Sequence, residues 1–180
     1  EYERHVRIMT EAGLIEDSTR IWWDLRPSAR YPTLETRVMD VCTRLNDSVA
    51  LAALLVCHLR MLYRLRINNQ RWRIYTPMLI RENRWRAMRY SFDEGLIDLA
   101  KGVVVPFEDL LDEMLELIAE DAEALGCTEE VASVRNIVTR GTSAHRQLKA
   151  FELEQAGGAS DDEALHAVVD MLIDDTRKGL

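Results

Sequence analysis

Lysine is scarce in this 180-residue chain, with three lysines against twenty arginines. Cysteine is scarce too: Cys42, Cys57 and Cys127 show no CxxC spacing. That excludes a disulfide framework and a cysteine-based zinc site. Four prolines, eight glycines and the absence of repeats or low-complexity stretches leave no obvious linker. No uninterrupted apolar run approaches the ~20 residues of a membrane span, and no signal-peptide pattern is present. The expectation is a cytoplasmic protein with no membrane role. Apolar residues make up 47% and charged residues 30%, a composition that builds a core and excludes disorder. The chain opens on Glu1, and its length suits one domain or one large piece of a domain.

The net charge of −8 conceals an asymmetry. Residues 1–100 carry sixteen arginines and thirteen acids, whereas residues 101–180 carry seven bases and eighteen acids. Arginine-rich usage has two readings: genomic composition, or a preference for a planar fork that matches carboxylate and phosphate. Nine arginines fall within residues 60–89. There Arg71, Trp72, Arg73, Tyr75, Arg84, Trp85 and Arg86 interleave cations with aromatics, as nucleic-acid stacking platforms do. The acidic chain and the lack of a nucleic-acid module argue against that partner.

Periodicity gives a coarse map. Tyr2–Glu11 reads as a helix stopped near Gly13. Residues 21–26 and 33–40 read as strands separated by Pro27, Ser28 and Pro32. From Asp47 to Asn68 apolar residues recur at threes and fours over so wide a stripe that the helix calls for cover on most sides. Thr76-Pro77 starts a helix to about Tyr90. Gly95 to Val105 is irregular, with Val103-Val104-Val105 a small strand. Pro106 opens a helix to Leu125, Thr128 caps one to about Arg140, and Gly141-Thr142-Ser143 precedes one to about Ala156. Ser160-Asp161-Asp162-Glu163 is a capping box for the last helix. The fold class expected is α+β, mostly helical with one small antiparallel sheet.

Side chains alternate faces along a strand. Glu35 and Arg37 therefore share one face, and Trp22, Asp24 and Arg26 share another. If the strands are neighbours with those faces aligned, four ionic groups converge. One reading is a solvated surface of modest ion pairs. The other is a cleft in which Glu35 offers oxygen to a hard divalent cation and Arg37 holds an anionic group. On the helix after Pro77, Glu82, Trp85 and Arg89 share one face and Asn83 and Arg86 another. Taken alone, that pattern is better accounted for by internal Glu–Arg pairing on a solvated helix. The four histidines are far apart, and Thr142 and Ser143 read as helix caps.

Ile21-Trp22-Trp23-Asp24-Leu25-Arg26-Pro27-Ser28, Pro32 to Asp40, Glu82-Asn83-Arg84-Trp85-Arg86-Ala87 with Arg89-Tyr90, and Gly141-Thr142-Ser143-Ala144 occur in one order. In that order they resemble the carboxylate–amine ligases, the type-two glutamate–cysteine ligases. The Glu-x-Arg strand also resembles its counterpart in glutamine synthetase. This resemblance implies a glutamine-synthetase-like catalytic fold using ATP and Mg²⁺ on small amino-acid substrates, joining a carboxylate to an amine through an acyl phosphate. By the same resemblance Glu35 matches a metal-binding glutamate, and Arg37 and Arg26 match catalytic arginines. Asp24, Asn83 and Arg89 match cofactor-binding positions.

Family members have about twice this length, so residues 1–180 correspond to a C-terminal half whose N-terminal half is a further partner. Strands fall at about 20–40 and a helical layer at about 47–177, and a homo-oligomer stays open. The family places glycine after its Arg-Tyr pair, where this chain has Ser91; glycine there would serve a backbone turn. A non-catalytic helical assembly or regulatory module is the alternative.

Overall fold

In a computed structural model that describes residues 1–178, the chain divides into two compact units, one of residues 1–41 and one from Cys42 onward. The first unit contains helix α1 (Tyr2–Glu11), a 3₁₀ turn at Ser18–Arg20, and strands β1 (Leu25–Pro27) and β2 (Leu34–Thr36). The strands pair antiparallel with Arg26 opposite Glu35. They are shorter than the expected 21–26 and 33–40, for a reason visible in Arg26. Its guanidinium takes the carbonyls of Thr19 and Ile21, so the chain before Leu25 curls toward that side chain and leaves the ladder. Tyr2 and His5 of α1 meet the Trp23 ring edge-on, at centroid distances of 5.6 and 6.2 Å.

The second unit is helical, with α2 (Leu45–Ile67), α3 (Pro77–Tyr90), α4 (Phe107–Leu117), α5 (Ala119–Leu125), α6 (Thr128–Ala132), α7 (Val134–Arg140), α8 (Ser143–Ala156) and α9 (Asp161–Arg177). Strands β3 (Leu96–Asp98) and β4 (Val103–Val105) form a hairpin between α3 and α4. The described residues thus hold two small antiparallel sheets rather than one. The α+β class stands.

Gly95 shows why the second hairpin closes where it does. Its φ is +66°, and a Cβ there would collide with the Val105 carbonyl across the sheet. Only glycine gives both the left-handed backbone and that close approach.

The core of this unit gathers Ala50, Cys57 and Met61 of α2, Leu111 and Leu115 of α4, Ile118, Ala122 of α5, Val131 of α6 and Val134 of α7. The expected helix 107–125 breaks at Ile118, which is fully buried. No proline or glycine marks the break; it drops Ile118 into the core and turns α5 so that Asp121 faces α2. The expected helix 128–140 breaks at Ser133, whose hydroxyl donates to the Glu130 carbonyl at 2.7 Å. Such back-bonding competes with the helical ladder.

Helix α2 corrects two expectations. By length and composition it is long and apolar enough to cross a membrane, although no uninterrupted run announces it. The core helix of a globular domain passes the same test, and α2 packs on α5, α6 and α7. Nor is it covered all round: Val49, Val56, Leu62, Tyr63 and Ile67 are exposed.

Candidate functional site

In the first unit, the register that sets Arg26 opposite Glu35 brings three of the expected ionic groups onto one face. Arg26 Nε donates to Glu35 Oε2 at 2.8 Å, and Arg37 Nη2 lies 2.5 Å from Glu35 Oε1. Each carboxylate oxygen therefore meets its own guanidinium. The Arg26 bond is the main reason the Glu35 carboxyl is held below its ordinary pKa, with the charge of Arg37 adding to it. Arg37 also lies over the Trp22 ring, 4.3 Å from its centroid, a cation–π contact. Its backbone N–H donates to the Asp24 carbonyl at 2.8 Å.

The two arginines are not equivalent. The Arg26 side chain is 11% exposed, and its Nε and Nη1 are spent on Glu35, Thr19 and Ile21. Arg37 is 32% exposed, and Glu35 38%. The arrangement is an inner arginine that fixes a carboxylate, which in turn fixes an outer arginine toward solvent. An outer guanidinium fixed this way is suited to an anion such as carboxylate or phosphate.

The same donor set is poor for a metal ion. Mg²⁺ takes about six oxygens. Glu35 supplies one carboxylate, already bridged on both oxygens. Among the described residues no three His, Cys, Asp or Glu side chains could hold a metal together. These residues do not form a Mg²⁺ site by themselves.

Asn83 and Arg89 belong to the second unit. Both ends of the Asn83 amide are engaged: Nδ2 donates to the Ile97 carbonyl and Oδ1 accepts the Ile97 N–H, each at 2.8 Å. Asn83 thereby fastens α3 to β3. Arg86, on the same face as expected, donates to the carbonyls of Gly95 and Glu94 at 3.2 and 2.7 Å. Arg89 is exposed, with its guanidinium 5.5 Å from the Tyr90 ring centroid. After Tyr90 comes Ser91 at φ 55° and ψ −122°, a backbone conformation that glycine adopts at little cost and serine does not.

Sequence reasoning missed a second carboxylate gripped by arginines. Asp121 has no exposed side-chain surface. Arg60 Nη1 lies 2.5 Å from its Oδ1, and Arg64 Nη2 lies 2.8 Å from its Oδ2. The Arg64 hydrogen bond is the leading cause that lowers the Asp121 pKa, against the opposing effect of burial. Arg60 and Arg64 are one helical turn apart, the spacing at which two long side chains can reach one acceptor. The partner lies 57 to 61 residues further on, so spacing alone could not name it.

A third ionic cluster surrounds Asp175, whose side chain is buried; it accepts from Arg44 at 2.9 Å and also pairs with Arg146. It ties the start of α2 to α8 and α9. Of the residues read as caps, Thr142 stands before α8 and gives its N–H and hydroxyl to His145 Nδ1, at 3.2 and 2.7 Å.

Comparison with known proteins follows the same lines. Residues 1–170 match the family model described as Glutamate-cysteine ligase family 2 (GCS2). A protein of Rhodospirillum rubrum is 62% identical over 176 residues, covering 98% of this chain and 45% of the relative. A protein of Paracoccus denitrificans is 48% identical over 180 residues, covering 100% of this chain and 48% of the relative. One from a Jannaschia species is 51% identical over 175 residues, covering 97% and 46%. All three carry the name "Putative glutamate--cysteine ligase 2". The chain spans about half the length of these curated relatives. With the match running through both units, this chain belongs to glutamate-cysteine ligase family 2.

Proposed function

We propose that the chain is the C-terminal portion of an ATP-dependent carboxylate–amine ligase with a glutamine-synthetase-like catalytic fold, glutamate and cysteine being the substrates the family name suggests. Joining a carboxylate to an amine in water is uphill. In this reading ATP phosphorylates the carboxylate and the amine then displaces phosphate, leaving amide, ADP and phosphate. The observation that carries the reading is the Arg26–Glu35–Arg37 array, with a fixed guanidinium at the exposed end.

Arg37 is proposed to meet the anion, either the substrate carboxylate or the phosphoryl group in transfer. A donor fixed in advance stabilises charge as it develops, without reorganisation at the moment of reaction. Trp22 beneath it limits where the guanidinium can swing. Arg26 is proposed as a positioning residue, because its donors are taken by protein acceptors. Glu35 holds both arginines in place. Magnesium would neutralise ATP charge when bound, and its carboxylates beyond Glu35 would come from outside the described residues. Asp24 and Arg89 are proposed to face the nucleotide, as the family resemblance implies, whereas Asn83, whose amide bonds Ile97 at both ends, also fastens α3 to β3.

The test is ADP formation by the full-length protein with Mg²⁺, glutamate and cysteine. Glu35→Ala is expected to abolish turnover while the circular-dichroism spectrum is retained. Turnover unchanged at saturating Mg²⁺ would overturn the assignment.

A further inference from the structure

Two thiols meet in the second unit at a place the ligase reading does not use. Cys57 is fully buried on α2, and Cys127 is half-buried at the start of α6. Their Sγ atoms are 3.5 Å apart although the residues are 70 positions apart in the chain. A disulfide needs about 2.05 Å, so the sulfurs must close by about 1.5 Å. The two differ in access. No surface of Cys57 reaches solvent, and its thiol is pushed up to about 12, chiefly by burial and next by the hydrogen bond with Cys127. Cys127 does reach solvent, and Cys42 takes no part in the pair.

We propose that Cys57 and Cys127 form an oxidisable dithiol, a modification site at which a hydroperoxide converts two thiols into one disulfide. The half-buried partner reacts first. The Cys127 thiolate attacks a peroxide oxygen, the O–O bond breaks, and hydroxide leaves, taking up the thiol proton as water. Cys127 is then a sulfenic acid. The Cys57 sulfur attacks the Cys127 sulfur, the S–O bond breaks, and the oxygen leaves as water with the Cys57 proton. Two thiols and one hydrogen peroxide give one disulfide and two waters, the sulfurs losing the two electrons the peroxide gains. Cys57 is inert to outside reagents and reacts only with a neighbour already activated, so the second step is the slower. The bridge ties α2 to the start of α6 across a long loop, a constraint that acts mainly on the unfolded chain.

The experiment uses the full-length protein treated with hydrogen peroxide. Remaining thiols are blocked with N-ethylmaleimide after denaturation, and the unreduced digest is mapped by mass spectrometry. The expected product is a peptide pair joined through Cys57 and Cys127. It is two hydrogen masses lighter than the separate peptides and is lost on treatment with dithiothreitol, while Cys42 carries maleimide. The oxidised protein should melt several degrees above the reduced one. Maleimide on Cys57 beside a sulfinic Cys127, a disulfide that includes Cys42, or three blocked thiols would each overturn the proposal. The half-buried Cys127→Ser substitution is the milder one, and peroxide oxidation of Cys57 in that variant would do the same. Ligase activity is not read, so the result stands or falls apart from the proposed function.

Discussion

Glu35 and Asp121 are each gripped by two arginines, and their surroundings set them apart. Glu35 stands across a short hairpin with 38% of its side chain exposed. Asp121 sits on α5 with none exposed. Charges near water are screened and contribute little to stability, so the Glu35 array is free to serve binding. A charge removed from water must be answered completely, or it becomes a liability. The Asp121 brace therefore belongs to the fold. Composition is nearly the same in both places, and exposure to solvent is what separates the proposed site from the scaffold.

The largest expected break is at the brace. Asp121→Ala removes the buried acceptor shared by Arg60 and Arg64; because those side chains are 37% and 27% exposed and Arg64 keeps Glu120, the cost should be about 2–3 kcal/mol, read as a fall in denaturation midpoint. Next is Arg37→Ala, expected to lower kcat by about 10²–10³ with the midpoint hardly moved. If it unfolds the protein instead, the contrast between the two arrays is lost. Arg26→Lys should fall between these in kind: it keeps the charge, loses the fork, and lowers kcat with little change in KM.

Acid sharpens the comparison. The native pKa of Asp121 is depressed below its ordinary 3.8. Its stabilisation is therefore present above that value and lost as pH falls through the lower native one. The stability gap between the protein and its Asp121→Asn variant should be constant from neutral pH down to about pH 5 and narrow only below about 3.8, as checked by urea titrations across pH. The smallest effect supplies the baseline. Ser91→Gly touches neither carboxylate and should raise stability by about 1 kcal/mol, by relieving a positive-φ serine.

Much of the secondary structure was legible because its signals are local. Thr76-Pro77 opens α3, and Ser160 with Glu163 opens α9, the Ser160 N–H donating to Glu163 Oε2 at 2.8 Å. Tyr2–Glu11 fell where its periodicity put it. Alternation placed Glu35 with Arg37 on one face and left their meeting with Arg26 conditional on strand pairing, which the Arg26–Glu35 register supplies. What escaped depends on distant partners. The breaks at Ile118 and Ser133 answer to packing and to a hydroxyl back-bond. β3 is set by its pairing with Val103–Val105 and by the Asn83 amide. Nothing in the motif around Asn83 marks Ile97 as the partner of both ends of its amide. Nor did any spacing join Cys57 to Cys127.

The guanidinium of Arg26 answers three acceptors at once, a carboxylate on one side and two main-chain carbonyls on the other. A single pivoting ammonium has no rigid plane with which to span that triangle. At this position, then, the lopsided use of one basic residue over the other is more than an accident of codon supply. The local course of the polypeptide is wrapped around the shape of one side chain, and a cation of equal charge but different outline would hold it less firmly.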